Sequence, residues 1–421
     1  MDSGDDRSST AGVGPNWALI PGPASALFDR PDGSVLAVPG YDPETRLLLT
    51  QPPPTPAILD RPTRAHAEEA VTLLDGLLDD FPFVDAPSRS VALSALMTPI
   101  VRGALAVAPL HAMRAPTPGS GKSYLVDIAS AIATGQRCPV IAAGKTEEEA
   151  EKRLGAALLA GQPIVSIDNL NGELAGDALC QMVERPIVKI RPLGRSELVQ
   201  IESRATVYAT GNNLQPSGDM VRRVLLCSLD SNMERPELRR FAGDPLGLVL
   251  ANRGRYIAAV LTIVRAYIVA GHPSPCPPLA SFEDWSLLVR SPLVWLGRAD
   301  PADTMEAARA EDPEIAALRD VVAAWKAAIG MKMPRSAGEL VAEAETQEWK
   351  TEGEYHDKAK PEYKHPELRA AFLMVANDGR NISSVRLGKW LGRRKGRLID
   401  GVKIVAQSDT HAKTMKWALT P

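Results

Sequence analysis

The sequence predicts an α/β fold: a parallel five-stranded sheet built on a phosphate-binding loop, with a small N-terminal β appendage and helices before it, and a helical lid and a smaller C-terminal domain after it. Three observations carry this. Pro118-Gly119-Ser120-Gly121-Lys122-Ser123 runs straight into the apolar-periodic stretch Tyr124 to Ala129, a glycine turn that opens a helix. Downstream, Ile164-Val165-Ser166-Ile167 has the pattern of a buried strand and ends on Asp168. Two more apolar runs, Thr206 to Thr210 and Val224 to Asp230, complete the strand set with Leu110 to Met113 and Pro139 to Ala143.

Taken in order, residues 1–16 are polar and rich in Gly, Ser and Asp, which predicts a disordered tail. Residues 17–50 carry turn signals at Pro31-Asp32-Gly33 and Pro39-Gly40 between short apolar runs, so two or three short strands are expected there. Residues 51–62 open with Gln51-Pro-Pro-Pro-Thr-Pro, a stiff polyproline II linker. In 63–107 apolar residues recur at three-to-four spacing, a helical lead-in to the core. The core spans 108–235. Residues 146–161 form a helix in this reading, with acidic residues in the first turn and a glycine stop. Residues 236–330 read as a helical lid and connection, and 331–421 as the C-terminal domain.

Charge excludes one class. Lys and Arg total 48 against 51 Asp and Glu, a formal net charge of -3, so any contact with nucleic acid must come from local patches. Cys138, Cys180, Cys227 and Cys276 lie far apart with no paired spacing, which supports neither a zinc site nor a disulfide framework. Met1 to Thr10 lacks the apolar stretch of a signal peptide. Tyr256 to Ala270 is too short to span a bilayer and is broken by Arg265. No membrane association and a cytoplasmic location are expected.

The loop predicts ATP and Mg²⁺ as ligands. Glycines let backbone N–H groups turn inward around a polyphosphate, and the helix behind them adds its positive dipole end. Pro118, Gly119, Ser120, Gly121, Lys122, Ser123 and Tyr124 are the predicted ATP-binding residues, with Lys122 reaching the β and γ phosphates. Ser123 and Asp168 are the expected metal residues. Pro116 stands where the full pattern begins with glycine. Past the third strand, Gly211-Asn212-Asn213 offers an amide, Asn212, that can orient the attacking water. Arg222-Arg223 directly precedes the last strand, where either arginine can reach a neighbouring subunit's nucleotide. The residue after Asp168 is Asn169 and not a second acid. Either Asn169 positions water alone or Glu147, Glu148 or Glu149 acts as base, with Glu149 first among them.

This order of phosphate loop, acid strand, amide-tipped strand and arginine before the last strand resembles the AAA+ ATPases. More narrowly it resembles the superfamily 3 and MCM-like ring helicases, including the primase/helicase proteins of phages and mobile elements. The phrases "IDNLNGEL" at 167 to 174, "ATGNN" at 209 to 213 and "LVWLGRADP" at 293 to 301 share that wording. The resemblance implies a ring, a hexamer, that hydrolyses ATP to move along or unwind DNA in replication. No primase domain is supported, because the segment before the core is too short.

Residues 185–203 read as two alternating strands around Pro192-Leu193-Gly194-Arg195. In the resembled helicases such a hairpin points into the central channel, which makes Lys189, Arg191 and Arg195 the expected grip on single-stranded DNA. At the C-terminus, Ser383-Ser384 caps a helix through Leu391, and a basic turn and two strands follow. Helix then β-wing looks like a winged-helix domain, with Arg386, Lys389, Arg393, Arg394, Lys395 and Arg397 as a patch for double-stranded DNA. Two other classes remain open: an ATP-switched replication initiator, and a protein-remodelling ATPase without unwinding activity.

Overall fold

The computed structural model describes residues 28–29, 35–36, 39–43, 47–49, 52–144, 146–192, 194, 197–239, 242–350, 360–409 and 414–421. The expected tail at 1–16 and the hairpin-tip residues Leu193 and Arg195 lie outside them. By packing, the chain divides into two units, Met1–Arg309 and Ala310–Pro421.

The first unit is organised by five parallel strands: β1 Leu110–Ala115, β2 Val140–Ala142, β3 Ile164–Leu174, β6 Thr206–Pro216 and β7 Val224–Ser228. Their spatial order is β7-β1-β6-β3-β2. The two strands numbered between, β4 Ile187–Ile190 and β5 Val199–Glu202, pair only with each other as an antiparallel hairpin. β1 and β7 are buried along almost their whole length, which is why they read as continuous apolar runs. Helices α1 Arg64–Asp75, α2 Ala86–Val101, α3 Lys122–Thr134, α4 Glu147–Leu159, α5 Asp177–Glu184, α6 Pro245–Ala251 and α7 Arg253–Val269 belong to this unit.

Local chemistry explains the helix ends. Thr63 and His66 form a reciprocal cap on α1, and Asp85 accepts from Ser88 N to start α2. α3 closes at Gly135 (φ 80°), and Arg253 donates to the carbonyls of Ile132 (2.9 Å) and Ala133, placing a cation at the negative end of the helix. α2 is buried on every side. Its polar atoms pair across to the sheet and beyond: Ser94 with His111 at 3.0 Å, the Ala95 carbonyl with Tyr208, and Thr98 with Trp285 at 3.0 Å.

Three features differ from the sequence reading. The strands expected to end on Asp168 and at the tip Gly211-Asn212-Asn213 continue to Leu174 and Pro216, because Asn169 (φ 58°) and Asn213 (φ 50°) adopt left-handed backbone and make bulges instead of stops. The proline-rich linker is docked: a Cβ on Gly254 would lie 2.0 Å from the Pro54 carbonyl oxygen, so α7 and the linker touch through a residue without a side chain. The helical connection divides, Asp303–Ala310 going almost wholly with the first unit and Pro313–Ala328 with the second. In the N-terminal appendage, Phe28–Asp29 pairs with Val35–Leu36 and Gly40–Asp42 with Leu47–Leu49. No single described helix is long and apolar enough to cross a membrane.

The second unit contains α8 Pro313–Ala328, β8 Arg335–Ser336, α9 Ala337–Ala344, β9 Gln347–Lys350, β10 Lys360–Tyr363, α10 Pro366–Ala376, α11 Ser384–Arg394, β11 Val402–Asp409 and β12 Thr414–Thr420. β12 lies between β8 and β11, and β9 pairs with β10. Trp325, Phe372, Leu387, Leu391 and Leu419 form its core. Ser383 accepts from Arg386 N and starts α11.

Candidate nucleotide-binding site

Between Ala115 and Lys122 the chain reverses and hands over to α3. The reversal depends on Gly119 (φ 76°) and Gly121 (φ 95°), conformations cheap only for glycine. Ser120 is buried, and its hydroxyl donates to the Thr117 carbonyl at 2.7 Å, closing the loop on itself. Lys122 is largely buried. Its ammonium donates to Thr117 O at 3.0 Å and to Asn212 Oδ1 at 2.8 Å. Burial lowers its pKa from the ordinary lysine value, and the nearby Asp168 carboxylate opposes that shift.

Ser123 Oγ donates to Asp168 Oδ1 at 3.1 Å, and Thr210 Oγ1 donates to the same oxygen. The Asn169 backbone N–H donates to Thr210 Oγ1 at 3.4 Å. The loop after β1 and the bulged middles of β3 and β6 thus bring together Lys122, Ser123, Asp168, Thr210 and Asn212, although β3 and β1 are separated by β6. The donor set fits a hard divalent cation. A serine hydroxyl and a carboxylate oxygen sit 3.1 Å apart, a separation compatible with neighbouring oxygen positions around Mg²⁺. Thr210 was not singled out from the sequence; the only signal was a polar side chain inside an otherwise buried strand.

Gly211 makes this convergence possible. A Cβ there would lie 2.0 Å from the Leu170 carbonyl oxygen, so β6 and β3 can run this close past the bulge only with glycine. A second contact also escaped sequence reasoning: a Cβ on Gly119 would meet Glu237 N at 2.9 Å, so the short turn Pro236–Leu238 rests on the phosphate loop.

Other predicted residues fall elsewhere. The Tyr124 hydroxyl donates to Asp244 Oδ1 at 2.9 Å, and its ring stacks on Phe81 at 6.2 Å, so that side chain braces the start of α6. Glu149 pairs with Arg153, which donates to the carbonyls of Ala142 (2.6 Å) and Ala143 (3.3 Å) at the exit of β2. Ala142 at that exit pairs in register with Asp168, so β2 ends one strand from the site, and it is Arg153, not a loop residue, that Glu149 engages. A hollow of about 470 Å³ beside β2 and α4, lined by Ile141, Arg153, Leu170 and Glu173 among others, likewise contains none of the loop residues.

The two arginines separate. Arg223 is buried and binds Glu184 through Nε at 3.0 Å and through Nη2, and it also reaches Asp219 at 3.3 Å. Arg222 has a side chain 44% exposed and touches Glu184 at 3.2 Å and Asp219 at 3.8 Å. Desolvation pushes the Glu184 carboxyl up, but hydrogen bonds from Arg223 and Ser281 and both arginine charges outweigh it and hold the group at about 2. This engagement corrects the reading of Arg223 as a residue that could reach a neighbour.

In the hairpin, Lys189 and Arg191 are exposed, and Ile190 packs so close to α4 that a Cβ on Gly155 would meet its Cγ2 at 2.8 Å. In the second unit Lys389, Arg393, Lys395 and Arg397 are exposed. Arg386 binds the Asn377 carbonyl and Asp378 (3.4 Å). Arg394 lies over the Trp390 ring at 4.4 Å and pairs with Glu314 at 3.4 Å, which holds it against its own unit.

No family model matches the chain, and no curated protein matches it. Among solved structures, the chain is similar to an A-form apo structure of the NrS-1 C-terminal region, with a TM-score of 0.39 and 13% identity over 91% of this chain and 84% of that one. A second structure of that region gives 0.33 and 14% identity over 68% and 65%. The X-ray structure of JCV helicase gives 0.26 and 12% identity over 59% and 66%. In the last two the chain spans just under two thirds of the other chain's length.

Proposed function

We propose that the first unit binds and hydrolyses Mg-ATP and that the protein is a ring-forming DNA translocase or helicase acting in the replication of a phage or mobile element. The convergence of Lys122, Ser123, Asp168, Thr210 and Asn212 carries this reading. In it, Lys122 exchanges the Thr117 carbonyl and Asn212 for the β and γ phosphates, and its low exposure makes a compact, weakly hydrated charge for the transferring group. Mg²⁺, held by Ser123 and Asp168, would neutralise charge on the phosphate oxygens. Asn212, released from the ammonium, orients the attacking water. Thr210 fixes the Asp168 carboxylate, and Arg222 of each copy serves the next copy's nucleotide in a hexamer.

DNA is the proposed partner at two places. Lys189, Arg191 and Arg195 on the hairpin contact single-stranded phosphates, and the second unit, read as a winged helix, contacts duplex through α11. Strand displacement from a tailed duplex tests the reading: Mg-ATP should drive displacement by the wild type and not by Lys122→Ala. Hydrolysis without displacement would favour a second reading, in which ATP occupancy only switches assembly at an origin. Asn169, left-handed where the resembled families place an acid, and Glu149, held by Arg153, favour that alternative.

A further inference from the structure

The β9–β10 ladder sets Trp349 opposite Pro361 and Gln347 opposite Tyr363. Trp349 and Tyr363 therefore share one face as diagonal neighbours, about 7–8 Å apart. Trp349 is 72% exposed, so its indole contributes almost nothing to the unit's own core. Tyr363 is half-buried beneath a cation: the Arg369 guanidinium lies 4.2 Å over its ring.

Arg369 also donates to the Arg380 carbonyl at 3.4 Å. Arg380 belongs to the turn between Asn377–Asp378 and Asn381–Ile382, and Arg386 of α11 binds the other end of that turn at Asn377 and Asp378. The aromatic face and the basic helix are thus joined through one short turn. From Lys364 to Lys403 the sequence holds ten Lys and Arg against three Asp and Glu, which favours a polyanion over an apolar protein surface as the occupant.

We propose that Trp349 and Tyr363 form a stacking platform for unpaired bases, so that the second unit recognises duplex DNA carrying a single-stranded tail. This rests on the reading of that unit as DNA-binding. Stacking suits the role because every base has a π-face, and adjoining arginines supply phosphate contacts without reading sequence.

Fluorescence anisotropy of the full chain at one stated salt concentration tests it, with a blunt duplex and the same duplex bearing an oligo-dT tail. The tail should tighten binding about 5- to 150-fold per stacked base. Trp349→Ala should remove that gain and leave blunt-duplex affinity unchanged, while Trp349→Phe retains most of it. A tail gain that survives Trp349→Ala, or an equal loss for both DNAs in that variant, would overturn the platform and leave the duplex reading in place. Failure of the wild type to bind either DNA would overturn both.

Discussion

Lys122 Nζ donates to Asn212 Oδ1 at 2.8 Å, joining the phosphate loop to a strand position 90 residues downstream. In the proposed site the amide oxygen takes the place on the ammonium that a γ-phosphate oxygen would take, so the two residues would have separable roles. Lys122→Ala should abolish measurable nucleotide binding. Asn212→Ala should bind nucleotide and lose about 10²-fold or more in turnover. Equilibrium binding of a fluorescent ATP analogue beside steady-state hydrolysis distinguishes the two.

The Thr210 hydroxyl donates to Asp168, so in the proposed site it would act on the bound metal indirectly, by fixing that carboxylate. Thr210→Val preserves shape and removes the hydroxyl, so the Mg²⁺ concentration for half-maximal hydrolysis should rise about 10- to 100-fold with little change at saturating metal. An unchanged Mg²⁺ titration would remove Thr210 from the site.

Arg222 and Arg223 should behave oppositely. Arg223→Ala leaves the Glu184 carboxylate with Arg222 and Ser281 as its remaining partners, and a stability loss of about 1.5–3 kcal/mol is expected in denaturant titration. Arg222→Ala should unfold like the wild type and lose about 10³-fold in hydrolysis rate. Mixing Arg222→Ala with Lys122→Ala subunits should restore part of the rate, since each supplies what the other lacks.

His111 is fully buried in β1, and desolvation lowers its pKa to about 3. The folded state therefore binds fewer protons than the unfolded chain between that value and the ordinary 6.5. The stability is complete above the ordinary histidine value and falls as pH drops below it, at up to about 1.4 kcal/mol per pH unit. Thermal unfolding at stepped pH should show this slope, and His111→Gln should flatten it.

The loop, the acid strand and the hairpin at 187–202 were legible because each depends on residues adjacent in sequence: glycines before Lys122, an apolar run before Asp168, and alternation around Gly194. What was not legible depends on partners far along the chain. Asp168 and Gly211-Asn212-Asn213 read as strand ends, and only the pairing of β3 with β6 shows Asn169 and Asn213 as bulges. Nothing local distinguishes Arg222 from Arg223; Glu184, nearly forty residues upstream, decides which is buried. Glu149 reads as a free acid until α4 supplies Arg153 one turn later. The approach of Glu237 to Gly119 links segments with no sequence signature in common.

The most direct test of the central claim is the steady-state rate of ATP hydrolysis with and without single-stranded DNA, at fixed salt, in the wild type and in Lys122→Ala. Turnover should depend on Mg²⁺, rise with single-stranded DNA and vanish in Lys122→Ala. Turnover that persists in Lys122→Ala, or a wild type that neither binds nor hydrolyses ATP, would contradict that claim.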